Sequence, residues 1–267
     1  MKIVRYHSKD NRVCWGSRQE NGEVVRLSGS IESGFSPTPE VDHPAAFLPP
    51  VEPPAIYCIG ANYRHHIEEC GMPIPEQPVV FMKGPNAPQA HEAPIRIPKV
   101  CLPDEVDYEG ELAVVIGKTC RNASRENALD HVLGYACAND VSARNWQIKL
   151  GGGQWCRGKG FDTFLPIGPW VVTTDEIPDP SQLHLKTTLN GVVKQDWPTG
   201  DMVFDVPAII EFLSSDTTLL PGTVILTGTP HGVGAALKPP VWLHPGDRIE
   251  IEITGIGCLS NPVLAAE

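Results

Sequence analysis

Hydrophobic and polar residues alternate along several short stretches of the chain, a pattern typical of strands with one face in a core. The clearest example is residues 248–253, where three isoleucines alternate with charged residues. Further strands are predicted at residues 1–6, 13–15, 24–27, 55–59 and 224–226. Asn190-Gly191 predicts a hairpin turn. The few predicted helices include residues 63–69, residues 122–132 with Ser124 as a candidate cap, and residues 206–214. The pattern therefore predicts an α+β fold that is predominantly β.

Proline and glycine place a boundary near the start of the chain. The 267 residues include 27 prolines and 25 glycines, and four of the prolines fall within residues 47–54. Such a segment is typical of an extended linker. We interpret residues 1–52 as a small, strand-rich N-terminal unit with its linker, and residues 53–267 as the larger domain.

Charge and composition argue against several classes of protein. The 32 acidic and 21 basic residues give a net charge of −11, whereas nucleic-acid binding needs a basic surface. No apolar run reaches the length of a membrane span, and the first residues lack the apolar core of a signal peptide. The eight cysteines are scattered without a C-x-x-C pair, which favours free thiols. We expect a cytoplasmic protein, or a mitochondrial matrix one in a eukaryote, without nucleic-acid or membrane partners.

Two acids just before an apolar segment are the main candidates for chemistry. Glu109 and Glu111 are two residues apart, so on a strand their side chains point the same way. Two adjacent carboxylates repel each other unless a proton or a cation lies between them. An exposed acidic strand face is one interpretation. Asp140, in a similar setting, favours the other, which is a site for a hard divalent ion such as Mg²⁺.

The predicted helix at residues 63–69 carries a second candidate group. His66 and Glu69 are i,i+3 neighbours, so the carboxylate can orient the imidazole and raise its basicity for activating a water molecule. His65 and Glu69, at i,i+4, satisfy the same geometry. A polar surface helix is the alternative. Gly71, Pro73 and later prolines suggest that the segment can close over a bound substrate.

Five sequence blocks together resemble the fumarylacetoacetate hydrolase family. They are Ile-Gly-Ala-Asn-Tyr (59–63) with His66 and Glu69, Asp-Tyr-Glu-Gly-Glu-Leu (107–112), Asn-Asp-Val-Ser-Ala-Arg (139–144), Gly158-Lys159 with Phe-Asp-Thr-Phe (161–164), and Leu-Thr-Gly-Thr-Pro (226–230). The resemblance covers about residues 55–265, the catalytic domain of that family. It implies layered mixed β-sheets, a homodimer or higher oligomer, and Mg²⁺ or Mn²⁺ as cofactor.

The resemblance also implies roles for individual residues. Glu109, Glu111 and Asp140 become the metal ligands, and His66, Glu69 and Lys159 the catalytic residues, with a solvated surface lysine as the alternative for Lys159. Arg144 and Gln147, on a helix that would start near Asp140, together with Thr229 and Tyr108, are predicted to contact the substrate. Mutual repulsion among the three acids predicts that Glu109→Gln or Asp140→Asn abolishes turnover without lowering the stability of the metal-free protein.

Family members act on small 2-oxo or 1,3-dioxo acids through an enolate. Hydrolysis of a carbon–carbon bond in an acylpyruvate is the leading expectation for this chain. Keto–enol tautomerisation or decarboxylation of oxaloacetate is the alternative, because residues 227–230 and 238–243 look most like the oxaloacetate-tautomerising branch. A member that binds metal and ligand without turnover is the second alternative.

Overall fold

Strands make up most of the regular structure of this chain, which a computed structural model describes over residues 1–267. The strands are β1 (Lys2–His7), β2 (Val13–Arg18), β3 (Val24–Ser30), β4 (Gly34–Asp42), β5 (Ala46–Leu48), β6 (Ile56–Gly60), β7 (Val79–Lys83), β8 (Pro88–Gln89), β9 (Ile95–Ile97), β10 (Val106–Asp107), β11 (Gly110–Ile116), β12 (Val132–Asn139), β13 (Ser142–Ala143), β14 (Leu165–Thr173), β15 (His184–Leu189), β16 (Val192–Pro198), β17 (Val224–Leu226), β18 (Arg248–Ile253) and β19 (Gly257–Ala265). The α-helices are α1 (Arg64–Glu69), α2 (Arg144–Ile148), α3 (Cys156–Lys159) and α4 (Val206–Ser214). Single 3-10 turns lie at Ala128–His131, Pro180–Gln182, Thr199–Asp201 and Gly234–Ala236.

A twelve-stranded mixed sheet runs through the molecule. Its order is β4-β3-β2-β1-β14-β12-β11-β17-β6-β7, with β5 beside β1 and β8 beside β14. A second sheet of five strands has the order β16-β15-β18-β19-β9, and β10 pairs with β13. Parallel pairs such as β17 with β6 occur among antiparallel ones. These layered mixed sheets and the few helices confirm the predicted predominantly β, α+β fold.

Strand β11 is buried over its whole length because both of its faces lie in apolar clusters. Leu112 and Val114 project into a cluster that includes Ile251 of the five-stranded sheet. Ala113 and Val115 project into a separate cluster on the opposite face. Alternation along this strand therefore fixes which side chains enter which layer. The side chains at the beginning of β11 are held in a fixed orientation for the same reason.

Several predicted elements are confirmed. Helix α4 spans the predicted residues. Asp205 caps its N-terminus, because the Asp205 side chain accepts a hydrogen bond from the Ala208 N–H. The strands at 224–226 and 248–253 are β17 and β18. Asn190 and Gly191 connect β15 to β16 with φ values of +51° and +78°, as a type I′ turn requires. The predicted helix at 63–69 is α1.

The helix predicted at residues 122–132 is wrong. Only the single turn Ala128–His131 forms there, and Val132 begins β12. The Asn122 N–H donates to the Ser214 carbonyl at the end of α4, so the segment is drawn into tertiary contacts. Ser124 is not the cap, because Asn127 is the residue that precedes the turn; the Ser124 N–H donates to the Asn127 side chain. Local polar side chains and packing thus outweigh helix propensity.

The N-terminal strands extend the large sheet. Strand β1 pairs with β2 on one side and with β14 on the other. A division of the chain at residue 52 remains a prediction. None of the helices combines the length and apolar character that crossing a bilayer requires.

Candidate active site

The three predicted metal ligands meet where β11 begins and β12 ends. In this antiparallel pair Gly110 lies opposite Asn139, and the Asp140 N–H continues the pairing by donating to the Glu109 carbonyl at 2.8 Å. Glu109, Glu111 and Asp140 therefore share one face. One carboxylate oxygen of each lies within 4.8 Å of the other two, and all three side chains are buried. The cluster is compact enough to hold one hard divalent ion.

Two buried lysines neutralise part of this acidic cluster. Lys159 is 1% exposed, and its Nζ donates to Glu109 at 2.7 Å and to Asp140 at 2.8 Å. Lys83 lies beneath it, where its Nζ is 2.6 Å from Asp140 Oδ1 and donates to the carbonyls of Val141 and Phe164. The alternative of a solvated Lys159 is excluded. The expected repulsion among the acids is relieved at Glu109 and Asp140.

Arg144 links the cluster to the neighbouring loop. Its Nε and Nη2 donate to Asp107 Oδ2 at 2.9 and 2.7 Å, while Nη1 lies 2.7 Å from Glu109 Oε1. The same Nη1 donates to the Gln147 Oε1 at 3.0 Å. Helix α2 begins at Arg144 rather than near Asp140. Both predicted substrate contacts on this helix line the cavity, and Asp107 holds Arg144 in place.

Glu111 is the member of the cluster that no lysine or arginine pairs with. Its Oε2 accepts a hydrogen bond of 2.6 Å from the Gly228 N–H. A side chain at Gly228, which has a φ of +96°, would lie 2.8 Å from the Cβ of Asn62, so the close approach requires glycine. Burial and the charges of Asp140 and Glu109 raise the pKa of Glu111 well above its usual value. No basic side chain neutralises this side of the cluster, and three carboxylate oxygens are the donors that Mg²⁺ and Mn²⁺ prefer.

Glu109 has the opposite electrostatic setting. Burial would raise its pKa, but the neighbouring charges of Lys159 and Arg144 outweigh burial and lower the pKa to about 2. Glu109 therefore stays ionised throughout the physiological range.

Helix α1 places its histidine at the edge of the same cavity. The His66 Nδ1 lies 3.1 Å from Glu69 Oε2, and the other oxygen of Glu69 accepts a 2.9 Å bond from the Gly232 N–H. His65 faces Asp201 instead, which removes it as the partner of Glu69. Burial opposes protonation of His66, yet contacts with Cys70 and Glu69 and the charge of Glu109 raise its pKa to about 9.

A single cavity of about 580 Å³ connects these groups. Its polar side carries Glu109, Glu111, Lys159 and Arg144, with Thr229 nearby. Half of its 20 lining residues are hydrophobic, and these form the remaining wall: Ile59, Ala61, Cys70, Met72, Phe81, Ile148, Trp155, Val233, Ala235 and Ala236. The cavity can therefore accept a small acid with an apolar end.

A family model described as the C-terminal part of fumarylacetoacetate (FAA) hydrolase matches residues 55–264. The chain belongs to the fumarylacetoacetate hydrolase family. An oxaloacetate tautomerase fahd2 of mitochondria from Xenopus laevis is 48% identical over 216 residues, covering 81% of this chain and 67% of that protein. The family resemblance inferred from the five sequence blocks is thereby confirmed.

Two solved structures of this family have the same fold over the whole chain. A 5-carboxymethyl-2-hydroxymuconate delta-isomerase from Mycobacterium smegmatis is 37% identical with a TM-score of 0.87, and each chain covers 100% of the other. A maleylpyruvate hydrolase from Sphingobium sp. SYK-6, in complex with manganese(II) ion and pyruvate, is 30% identical with a TM-score of 0.78 at the same coverage. The family thus includes tautomerases, isomerases and hydrolases, and a member that holds manganese.

The remaining predicted substrate contacts differ in their placement. Thr229 lines the cavity, but its hydroxyl donates to the Gly110 carbonyl and accepts from Gln195 Nε2, so it is committed to the protein. Tyr108 is fully buried outside the cavity lining and donates to the Gly232 carbonyl at 3.1 Å. Through Gly232, Tyr108 and Glu69 contact the same loop. Sequence reasoning assigned no role to Lys83, Asp107 or Gln195.

Proposed function

We propose that this protein hydrolyses a carbon–carbon bond of an acylpyruvate, a 2,4-dioxo acid with a small apolar acyl group. The observation that supports it most is the position of the His66–Glu69 pair in the same cavity as Glu109 and Glu111, two of the three clustered carboxylates. Such a pair serves to activate water, which cleavage needs. The apolar lining of the cavity fits the acyl end of the substrate, and the positive charges of Arg144 and Lys159 fit its carboxylate.

The family cofactor fits the residues present. Glu109, Glu111 and Asp140 would hold Mg²⁺ or Mn²⁺, and Glu111 is the carboxylate without a cation partner. A bound ion would act as a Lewis acid toward the two substrate oxygens and favour the enolate.

The side chains divide the reaction between them. Glu69 accepts the hydrogen bond from the Nδ1–H of His66, which leaves Nε2 without a proton, so that it can take one from water. The hydroxide adds to the acyl carbonyl, the bond to the adjacent CH₂ breaks, and the acyl group leaves as a carboxylic acid. The CH₂ carbon, with the electron pair of that bond, takes up the proton that His66 accepted from water, and the product leaves as pyruvate. Lys159 neutralises negative charge beside the leaving enolate.

Tautomerisation of oxaloacetate is the second candidate, supported by the 48% identity to a relative of that name. This reaction only moves a proton between carbon and oxygen, so it requires neither added water nor the apolar wall.

One assay separates the candidates. Purified protein with Mg²⁺ or Mn²⁺ is mixed with acetylpyruvate and, separately, with oxaloacetate, while enol absorbance, pyruvate, acetate and CO₂ are followed. Acetate and pyruvate in equal amounts support the proposal. Rapid enol–keto conversion of oxaloacetate without acetate from acetylpyruvate replaces it with the second candidate. CO₂ from oxaloacetate indicates decarboxylation, and ligand binding without turnover indicates a silent member.

The raised pKa of His66 predicts how cleavage depends on pH. Only the neutral imidazole accepts a proton, so the rate should rise with pH through about 9, the pKa of His66 in the metal-free protein, and level off above it. Changing Glu69 to glutamine removes a contact that raises this pKa, so the rising limb should move to lower pH while the maximal rate falls. Rate profiles and the NMR titration of His66 measure both shifts. If the rising part of the pH–rate profile lies at the same pH in Glu69→Gln, Glu69 does not raise the pKa of His66.

Self-association is a further prediction. Edge strands of both large sheets expose apolar side chains, namely Val80 and Met82 on β7 and Val192 and Val193 on β16. Uncovered edges of this kind are usually protected by a partner. We expect light scattering at micromolar concentration to give at least twice the 29.0 kDa mass of the chain. A mass of one chain contradicts this expectation.

A further inference from the structure

Cys70 ends helix α1 directly beside the catalytic histidine, and the proposed reaction does not use it. Its Sγ lies 3.9 Å from Nδ1 and 3.8 Å from Nε2 of His66. The side chain also lines the cavity, so the sulfur can be reached from the substrate side. A thiol, an imidazole and a carboxylate therefore meet at one end of a six-residue helix.

The spacing of these groups is that of metal ligands on one helix face. His66, Glu69 and Cys70 are related as i, i+3 and i+4, which brings their side chains together. One ligand atom of each lies within 4.8 Å of the others. Ligand atoms of a tetrahedral zinc ion are about 3.4–3.6 Å apart, as follows from the bond lengths to nitrogen, oxygen and sulfur. The distances of 3.1 Å from Nδ1 to Glu69 Oε2 and 3.9 Å to Cys70 Sγ bracket that range.

The surroundings hold the group in position and leave one side open. Gly232 N–H fixes one oxygen of Glu69 and leaves the other directed at His66. An outer contact of this kind orients a ligating carboxylate. The cavity lies on the open side, where water or a small ligand can complete the coordination.

We propose that His66, Glu69 and Cys70 form a second metal site, separate from the three carboxylates, which takes a borderline divalent ion of the Zn²⁺ type. The two sites differ in donor chemistry. Oxygen donors alone suit Mg²⁺ or Mn²⁺, whereas imidazole and thiolate select Zn²⁺ and similar ions. Binding replaces the thiol proton of Cys70 and the Nδ1 proton of His66 by the metal, and both protons pass to solvent.

Occupation of this site has a consequence that rests on the proposed function. With the metal on Nδ1, the neutral imidazole carries its remaining proton on Nε2 and cannot accept one from water. Zinc should therefore inhibit cleavage without removing Mg²⁺ from the carboxylates.

The binding test uses Co²⁺ as a spectroscopic probe for Zn²⁺. Full-length protein is first saturated with Mg²⁺ and then titrated with Co²⁺, and a thiolate-to-cobalt charge-transfer band is recorded in the near ultraviolet. We expect one equivalent of this band, bleached by Zn²⁺ and absent from Cys70→Ser. Cys258→Ser is the matched control, because Cys258 is also exposed but lies on β19, away from the cavity. It should keep the full band.

Affinity gives a second measurement that is independent of turnover. Chelator competition should show Zn²⁺ binding at least about 100-fold weaker in Cys70→Ser, since losing a ligand costs more than the 10–100-fold loss of an outer contact. Glu111→Gln should weaken Mg²⁺ binding and leave the cobalt band unchanged. The proposed site is contradicted if the band persists in Cys70→Ser, or if Cys70→Ser binds Zn²⁺ as tightly as the unaltered protein. A present band without inhibition of cleavage contradicts only the role of His66 in the proposed function.

Discussion

Changing His66 to alanine should lower the rate of acylpyruvate cleavage by about 100-fold or more, the usual contribution of a general base. The imidazole stands at the cavity edge with its Nδ1 fixed by Glu69, so its removal deprives the attacking water of its proton acceptor. Exchange of the substrate C3 hydrogens with deuterium in the solvent should continue at much of its original rate. That exchange depends on enolisation at the carboxylate cluster, which the substitution does not touch.

Substrate cleavage and C3 exchange are measured on the same samples by NMR. The control is His65→Ala, which removes the neighbouring imidazole that faces Asp201. It should leave both rates close to those of the unaltered protein. Unchanged cleavage in His66→Ala means that the pair with Glu69 is structural, and the tautomerase candidate gains.

Substitution of two different ligands of the carboxylate cluster should change the free energy of unfolding in different ways. Glu111→Gln should abolish metal-dependent turnover while the metal-free protein keeps or gains free energy of unfolding. Glu111 has no lysine or arginine partner, and its raised pKa shows that its charge is costly where it is. Asp140→Asn should also abolish turnover, but it leaves Lys159 and Lys83 undercompensated. Breaking a buried ion pair costs about 3–5 kcal/mol.

Chemical denaturation of metal-free protein, with metal-dependent activity alongside, gives both quantities. Equal losses of stability in Glu111→Gln and Asp140→Asn contradict the assignment of the two lysines to Asp140. Full activity of either variant at saturating Mg²⁺ contradicts the metal site. The sequence alone leads to the expectation that Glu109 and Asp140 can be replaced without loss of stability. Both are paired with buried basic side chains, so we expect this of Glu111 instead.

The sequence was sufficient for the parts of the site that depend on local periodicity. Alternation alone places Glu109 and Glu111 on one face, and helical spacing brings either His65 or His66 next to Glu69, with the family resemblance favouring His66. Helix α4 follows from its cap and its apolar spacing. Each of these features is determined within one element.

Other features depend on contacts between segments far apart in the chain. Lys83 reaches Asp140 across 57 positions, and nothing at the end of β7 indicates that its charge is buried. The predicted helix at 122–132 yields to hydrogen bonds with the end of α4. The sequence suggests that Arg144 contacts the substrate. Its ion pair with Asp107 follows only from the pairing of β10 with β13, which the sequence does not reveal.

The two halves of the site are built on supports of different rigidity. The carboxylates stand at the end of a strand that is enclosed on both faces, whereas the histidine is carried by a helix of six residues. Much of the apolar wall comes from side chains outside the central strands, such as Ile148 and Trp155. Substitutions there can alter the shape of the apolar part of the cavity without disturbing the acids. Proteins with this architecture can therefore acquire a different substrate preference through substitutions in the apolar lining while the carboxylate cluster stays the same.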